Sequence, residues 1–257
     1  MKKYVVHYTK GNGPNVRKYL EGIIPDAHFI TQYDKEDLFV SWVKTFTETN
    51  TCMPYLSCNL KHIEALKDMV DNNIEEAFIF EDDVVFIDDW ENKFMTVKRK
   101  YFDSADYIKM GNLHELSYDQ APLMVGNNGG AEGQYVTLEF AKKFLKKVNV
   151  EHTIDIMHHG FLGGGAIPCI PVCAQTSIIT RYGAGNNQDE PLPEWREYTM
   201  TYHQRKFFEY DTLLKEYESF LKRKAKLEEL FFRRYGKRVE IKRVEYVYKN
   251  EFMALLS

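Results

Sequence analysis

The stretch that most constrains the fold of this chain is residues 77–86, which reads Ala-Phe-Ile-Phe-Glu-Asp-Asp-Val-Val-Phe. Four apolar residues in a row predict a strand that is covered on both faces of its sheet. Glu81, Asp82 and Asp83 then fall at the carboxyl end of that strand, where open α/β sheets bind their ligands. Three neighbouring carboxylates repel one another, so a buried cluster needs a counter-charge, which a divalent metal carrying a polyphosphate would supply. The alternative is a strand that ends in a solvated acidic turn.

Short strands alternate with helices up to about Ile179. We predict strands over 4–8, 28–31, 107–111 and 171–177, and helices over 57–72 (with Ser57 as its N-cap), 138–148 and 154–160. This alternation indicates an α/β fold with a mixed, mostly parallel sheet flanked by helices. Residues 181–193 are rich in Gly, Asn and Pro, which is typical of a boundary. We therefore predict a catalytic domain over 1–180, a linker over 181–194 and a charged helical C-terminal extension over 195–257.

Charge is distributed unevenly along the chain. The 257 residues carry a net charge of −4, which argues against a nucleic-acid-binding protein as a whole. Residues 221–243, in contrast, are strongly basic. This basic part of the extension either packs its aromatic stripe on the catalytic domain, or meets anionic lipid head groups or a second copy of the chain.

The four cysteines do not have the spacing of a zinc site, so we interpret them as structural thiols in a reducing compartment. No stretch approaches the roughly 18 apolar residues of a membrane span. We therefore expect a cytoplasmic protein, either soluble or peripheral at a membrane surface.

Two other segments carry candidate functional residues. A polar loop follows the first strand, with Arg17 one helical turn further on, and this arrangement is a common way to bind a nucleotide. Asp155 lies three and four residues before His158 and His159, so on a helix these side chains would share a face. One of the two histidines could bind a metal; the alternative is an ordinary polar helix end.

The order of these features resembles glycosyltransferase family 25, which includes bacterial lipooligosaccharide galactosyltransferases and collagen hydroxylysine galactosyltransferases. The resemblance covers roughly residues 1–180 and rests on an ordered set of segments. These are the strand 4–8, His62 in Leu60-Lys61-His62, the strand into Glu81-Asp82-Asp83-Val84-Val85, Tyr135-Val136-Thr137, the helix with Ala141-Lys142-Lys143-Phe144-Leu145, Asp155, and Pro171 to Gln175. Lys61 stands where the family usually has Ser, and Ile156-Met157-His158 replaces its aromatic residues.

The resemblance implies a glycosyltransferase A-type fold and an inverting transfer of a hexose, with galactose or glucose favoured, from a UDP-sugar to a glycan, glycolipid or glycoprotein. The metal, Mn²⁺ or Mg²⁺, would neutralise the charge that develops on the leaving nucleoside diphosphate. We expect Asp83 to be a direct ligand, with Glu81 as a second ligand and His158 closing the shell. Asp155 would be the catalytic base, with Glu132 in reserve. The remaining donor-binding candidates are His7, Tyr8, Thr9, Arg17, His62, Glu81 and Asp82.

Two other functions remain open at this stage. A metal-dependent nucleotidyltransferase or phosphohydrolase also uses acids at strand ends, although its first loop usually carries Gly with Lys or Arg. A non-catalytic relative that binds a sugar or a partner is the other alternative.

Overall fold

The structure is a computed structural model. It describes residues 1–10, 13–47, 49–111, 124–125, 131–148, 150, 152–162, 167–170 and 172–175. Asp155 and His159 are described by their backbone alone. The predicted linker and C-terminal extension lie outside the described residues, so their boundaries stay predictions.

The described part of the chain contains strands interspersed with helices along its length, as the sequence predicts. The strands are β1 (Lys2–Val6), β2 (His28–Ile30), β3 (Glu76–Glu81), β4 (Val84–Phe86), β5 (Tyr107–Lys109), β6 (Met124–Val125), β7 (Gly133–Thr137), β8 (Ile167–Pro168) and β9 (Cys173–Gln175). The helices are α1 (Gly13–Ile23), α2 (Leu38–Phe46), α3 (Met53–Asp71), α4 (Trp90–Tyr101), α5 (Leu138–Leu145) and α6 (Ile154–Phe161). Among them there is no helix both long enough and apolar enough to span a membrane.

Five of the strands form one sheet, in the order β2-β1-β3-β7-β5. The pairs β2–β1 and β1–β3 are parallel, whereas β7 runs antiparallel to both β3 and β5. Four strands therefore point the same way and one is reversed, which confirms the α/β class and the mixed sheet. The carboxyl ends of β2, β1 and β3 meet at one edge, and the loops that follow these strands lie side by side.

Strand β3 is covered on both faces, as its apolar run predicts. Ala77 and Ile79 pack into a core with helices α3 and α5. On the other face, the ring centroid of Phe78 lies 5.2 Å from that of Trp90 and 5.1 Å from that of Phe94, both on α4. Burying a large apolar side chain contributes roughly 1.5–3 kcal/mol. The strand that ends in three acids is therefore firmly held by its own core.

Three local features differ from the prediction. Helix α3 begins at Met53, with a proline in its first turn, so Ser57 lies inside the helix and is not its N-cap. The Ser57 hydroxyl instead donates to the carbonyl of Tyr33 at 2.5 Å. The apolar run after the acids forms a separate strand, β4, which pairs with β9. Helix α2, absent from the prediction, exposes a row of near-parallel aromatic rings formed by Phe39, Trp42 and Phe46.

Candidate functional site

The first part of the site joins the loop after β1 to the acids after β3. One carboxylate oxygen of Asp82, Oδ2, accepts the backbone N–H of Tyr8 at 2.7 Å. The same oxygen lies 3.0 Å from Nδ1 of His7, and because a carboxylate only accepts, this nitrogen carries the proton. Two of the predicted donor-binding residues, His7 and Tyr8, are thus tied to a third, Asp82.

Helix α1 begins close against this loop. A Cβ added to Gly13 would lie 2.2 Å from the carbonyl oxygen of Tyr8, so only glycine allows this approach. Arg17, one turn later, is half exposed and donates through Nε to Glu21 at 2.8 Å. Its guanidinium lies 4.7 Å from the ring centroid of Phe29. In this structure, therefore, Arg17 lies beside the loop and its described contacts are within α1 and to β2.

Asp34, in the loop after β2, connects the carboxyl ends of β1 and β2. Its carboxylate accepts the backbone N–H of Thr9 at 3.3 Å, the Thr9 hydroxyl and the ammonium of Lys61. Lys61 also donates to the carbonyl of His7. Burial alone would raise the pKa of Asp34, but the hydrogen bonds from Lys61 and Thr9 and the positive charge of Lys61 outweigh it and lower the pKa. One buried lysine therefore holds the ends of β1 and β2 together.

The residue before Asp34 has an unusual backbone conformation. Tyr33 adopts a φ of 67°, the left-handed region that non-glycine residues rarely occupy. Its carbonyl accepts the Ser57 hydroxyl, and the next N–H, that of Asp34, donates to Asp37 at 2.8 Å. These bonds hold a strained turn that aims Asp34 at the strand ends, and such strain is typical of functional sites.

The third part of the site surrounds Glu81, the last residue of β3. Its Oε1 accepts the thiol of Cys58 at 3.3 Å and lies 3.5 Å from Nε2 of His62. Both nitrogens of His62 are fully buried and have no hydrogen-bond partner among the described residues. Burial, followed by the charges of Glu81, Asp82 and Asp83, raises the pKa of the Cys58 thiol well above its ordinary value. All three acids therefore act on one partly buried cysteine.

Among the residues that the structure describes, Cys58, His62 and Glu81 are the one group of three whose possible ligand atoms all lie within 4.8 Å of one another. Asp83 is partly buried in the turn between β3 and β4 and does not belong to this group. The structure does not bring Asp83, Glu81 and His158 together as one such group within the described residues. This expected metal set therefore stays a prediction.

His158 lies in an aromatic environment on α6. Its ring centroid is 4.5 Å from that of Phe144, 5.3 Å from that of Tyr107 and 5.4 Å from that of Phe140. Burial, with a smaller effect of the neighbouring His62, lowers the pKa of His158 well below its ordinary value. The imidazole is therefore neutral. Its ring centroid lies 6.5 Å from that of His62, whose Nε2 is 3.5 Å from Oε1 of Glu81.

The two candidates for the catalytic base differ in what the structure describes. Glu132 is fully buried just before β7, and its carbonyl accepts the N–H of Glu81 at 3.2 Å. A Cβ added to Gly111 would lie 2.5 Å from the Glu132 side chain. Desolvation, followed by the charge of Glu132, raises the pKa of the buried Cys173 thiol. Asp155 lies on α6, but its side chain is outside the described residues. Both roles stay predictions.

Three residues of the site were not among the sequence-based candidates: Asp34, Lys61 and Cys58. Asp34 lies four residues after the end of β2, so its position at the same edge as Asp82 was an available signal. Cys58 precedes His62 by four residues, which places the two on one face of a helix. For Lys61 the signal was weaker, since a buried lysine is rare and cannot be recognised without its partner.

Comparison with known proteins identifies one matching protein family. Residues 31–127 match the model of glycosyltransferase family 25, described as an LPS biosynthesis protein. No curated protein matches the chain. The matched range contains Asp34, Lys61, His62 and the acids that follow β3. The match supports the family suggested by the sequence resemblance. It thereby supports a glycosyltransferase, which in general uses a sugar donor and a glycan acceptor. The five-stranded sheet is consistent with the fold expected for this family.

Proposed function

We propose that this chain, with its glycosyltransferase family 25 domain, is a metal-dependent inverting hexosyltransferase of the glycosyltransferase A type. It would move galactose or glucose from a UDP-sugar to a hydroxyl of a glycan, glycolipid or glycoprotein. The observation that carries this proposal is the joining of three strand ends: Asp82 ties the end of β3 to the β1 loop, and the Lys61–Asp34 pair ties that loop to β2. The donor would bind along this edge of the sheet.

The chain's own residues suit the nucleotide part of a donor. The loop of His7, Tyr8 and Thr9 is fixed by bonds to Asp82 and Asp34, so it is ordered before any ligand arrives. Ordering a binding loop in advance reduces the entropy lost on binding. The buried ammonium of Lys61 is already paired with Asp34. Lys61 is therefore not available to neutralise the acids at the end of β3, and another cation would have to do so.

The acids after β3 suit a hard divalent cation. Carboxylate oxygens are the ligands that Mg²⁺ and Mn²⁺ prefer, and Glu81, Asp82 and Asp83 are consecutive residues at the carboxyl end of β3. We assign Asp83 to the cation first, with Glu81 as the second candidate. The imidazole of His158 fits less well, because its described neighbours are aromatic rings. When bound, the cation would stabilise the negative charge of the leaving UDP.

An inverting transfer also requires a base that removes the proton of the acceptor hydroxyl. We assign this role to Asp155, with Glu132 as the alternative. Glu132 is fully buried, so an acceptor could reach it only if neighbouring side chains moved. Asp155 is our first choice because it stands at the position where the resemblance to glycosyltransferase family 25 places an Asp.

The test is thermal unfolding of the full chain with a panel of nucleotide sugars, with and without Mn²⁺. A ligand at a hundred times its dissociation constant stabilises a protein by about 2.7 kcal/mol. We expect one UDP-hexose to stabilise the wild type only when Mn²⁺ is present, and Asp83→Ala to lose this effect. Asp71→Ala, an exposed acid on α3, is the matched control and should keep it. If no nucleotide sugar stabilises the wild type, the proposed donor is wrong.

A further inference from the structure

The Glu81 side chain contacts two side chains of helix α3. Cys58 and His62 are four residues apart on α3, so they project from the same face of the helix on successive turns. Glu81 ends β3 and reaches the same place from the sheet. A sulfur, an imidazole nitrogen and a carboxylate oxygen thus converge from two rigid elements.

Two of the three distances within this group match those between ligands of a tetrahedral metal ion. Zinc binds sulfur at about 2.3 Å and nitrogen or oxygen at about 2.0–2.2 Å, so neighbouring ligand atoms lie about 3.3–3.6 Å apart. The structure has 3.3 Å between Cys58 Sγ and Glu81 Oε1, and 3.5 Å between His62 Nε2 and the same oxygen. The third distance, from Cys58 Sγ to a ring nitrogen of His62, is within 4.8 Å, so an approach of these two side chains would place all three atoms around one ion.

His62 gives an independent indication. Its ring is fully buried, and neither nitrogen has a hydrogen-bond partner among the described residues. Buried polar groups in proteins are nearly always partnered, so an unpartnered imidazole calls for an explanation. Coordination through Nε2 would satisfy one of its two nitrogens. The Glu81 side chain is 19% exposed, which gives an ion a route from solvent.

We propose that Cys58, His62 and Glu81 form a binding site for Zn²⁺ or an ion of similar softness. A thiolate ligand selects zinc over Mg²⁺ and Mn²⁺, which prefer oxygen. Binding would convert the Cys58 thiol to a thiolate and release its proton to solvent. Three protein ligands leave a fourth position for water. This site differs from the carboxylate site proposed for the donor cation, shares only Glu81 with it, and does not depend on the transferase activity.

Cobalt is the probe for the test, because a thiolate bound to Co²⁺ gives a charge-transfer absorption band in the near ultraviolet. The full-length protein would be treated with chelator and titrated with Co²⁺. We expect one equivalent to bind with this band, Zn²⁺ to displace it and Mg²⁺ to leave it unchanged. Cys58→Ser should abolish the band. Cys52→Ser, which changes an exposed cysteine at the start of the same helix, should keep it.

A second variant covers the case in which Cys58→Ser does not fold. Glu81→Gln keeps the shape of the side chain and an oxygen that can accept from Cys58, but removes the charge. We expect it to weaken Co²⁺ binding at least about tenfold, since even outer partners of metal ligands contribute that much. The proposal is overturned if the wild type shows no band, if the band survives Cys58→Ser, or if Glu81→Gln binds Co²⁺ as well as the wild type.

Discussion

The ammonium of Lys61 and the carboxylate of Asp34 form an ion pair whose two side chains are 2% and 4% exposed. The pair lies where the loops after β1 and β2 meet, and Lys61 extends it by donating to the carbonyl of His7. A buried pair of this kind adds little net stability compared with apolar residues, but removing one partner leaves a buried charge uncompensated. The pair therefore fixes the geometry of the sheet edge along which the donor is proposed to bind, more than it stabilises the fold.

Replacing Lys61 with methionine should destabilise the protein strongly. The variant keeps most of the side-chain volume but leaves Asp34 buried without its cation, which costs about 3–5 kcal/mol. Urea unfolding would measure the loss. Lys67→Met is the matched control on the same helix, because Lys67 pairs with Asp71 at the surface and exposed pairs contribute at most about 1 kcal/mol. Equal stability of Lys61→Met and the wild type would contradict a structural role for the pair.

Stability should decrease in acid because of Asp34. Its pKa is lowered in the folded protein, so the pair stabilises the fold fully above the unfolded pKa of about 3.9. That contribution is then lost as the pH falls through the lower folded pKa. Unfolding in urea at a series of pH values would show the decrease, and Asp34→Asn should have a shallower one below about pH 4. Parallel curves for the two proteins would show that Asp34 is not responsible.

Removing the Asp82 carboxylate should weaken donor binding. Asp82→Ala leaves the N–H of Tyr8 and the Nδ1–H of His7 without an acceptor, and each such loss costs about 1–3 kcal/mol. We expect the KM for the nucleotide sugar to rise about tenfold or more. Glu36→Ala removes a more exposed bond, to the Tyr8 hydroxyl, and should leave KM nearly unchanged. The same KM in both variants would argue against an ordered β1 loop.

Replacing His158 with leucine should be tolerated. The change keeps a similar volume and removes two buried nitrogens without described partners, so we expect the free energy of unfolding to stay within about 1.5 kcal/mol or to increase. Chemical unfolding measures this, and the Mn²⁺-dependent donor shift should remain. Loss of that shift in a well-folded His158→Leu protein would instead support His158 as a metal ligand.

Strand β3 was predictable because burial on both faces leaves a simple record in the sequence, whereas β7 was not among the predicted strands. The apolar run of β3 and the acids after it gave both the strand and the edge where ligands bind. The reversed direction of β7 was not predictable, since a short buried run reads the same in either direction. Direction depends on how the chain crosses between Lys109 and Gly133, which the sequence pattern does not encode.

Other differences between the prediction and the structure arise because one type of side chain can have more than one structural role. Ser57 resembles an N-cap, but its hydroxyl bonds to Tyr33, and the proline at the start of α3 was the better signal for the helix start. Helix α2 is difficult to recognise because large apolar side chains such as Trp42 lie on its exposed face as well as its buried one. The Cys58–His62–Glu81 group was not predicted, because it depends on a contact between a helix and a distant strand. Spacing along the sequence does not reveal such a contact.

The order of strands in the sheet has a consequence for how the protein forms. β1 pairs along its length with β3, and β3 pairs with β7, as in the pairs Lys2 with Ala77 and Glu76 with Thr137. No two neighbours in the five-stranded sheet are joined by a tight hairpin, so every pairing closes a long loop. Such non-local contacts slow folding. During synthesis β1, with its buried residues Tyr4, Val5 and Val6, therefore lacks its partner β3 until β3 has left the ribosome.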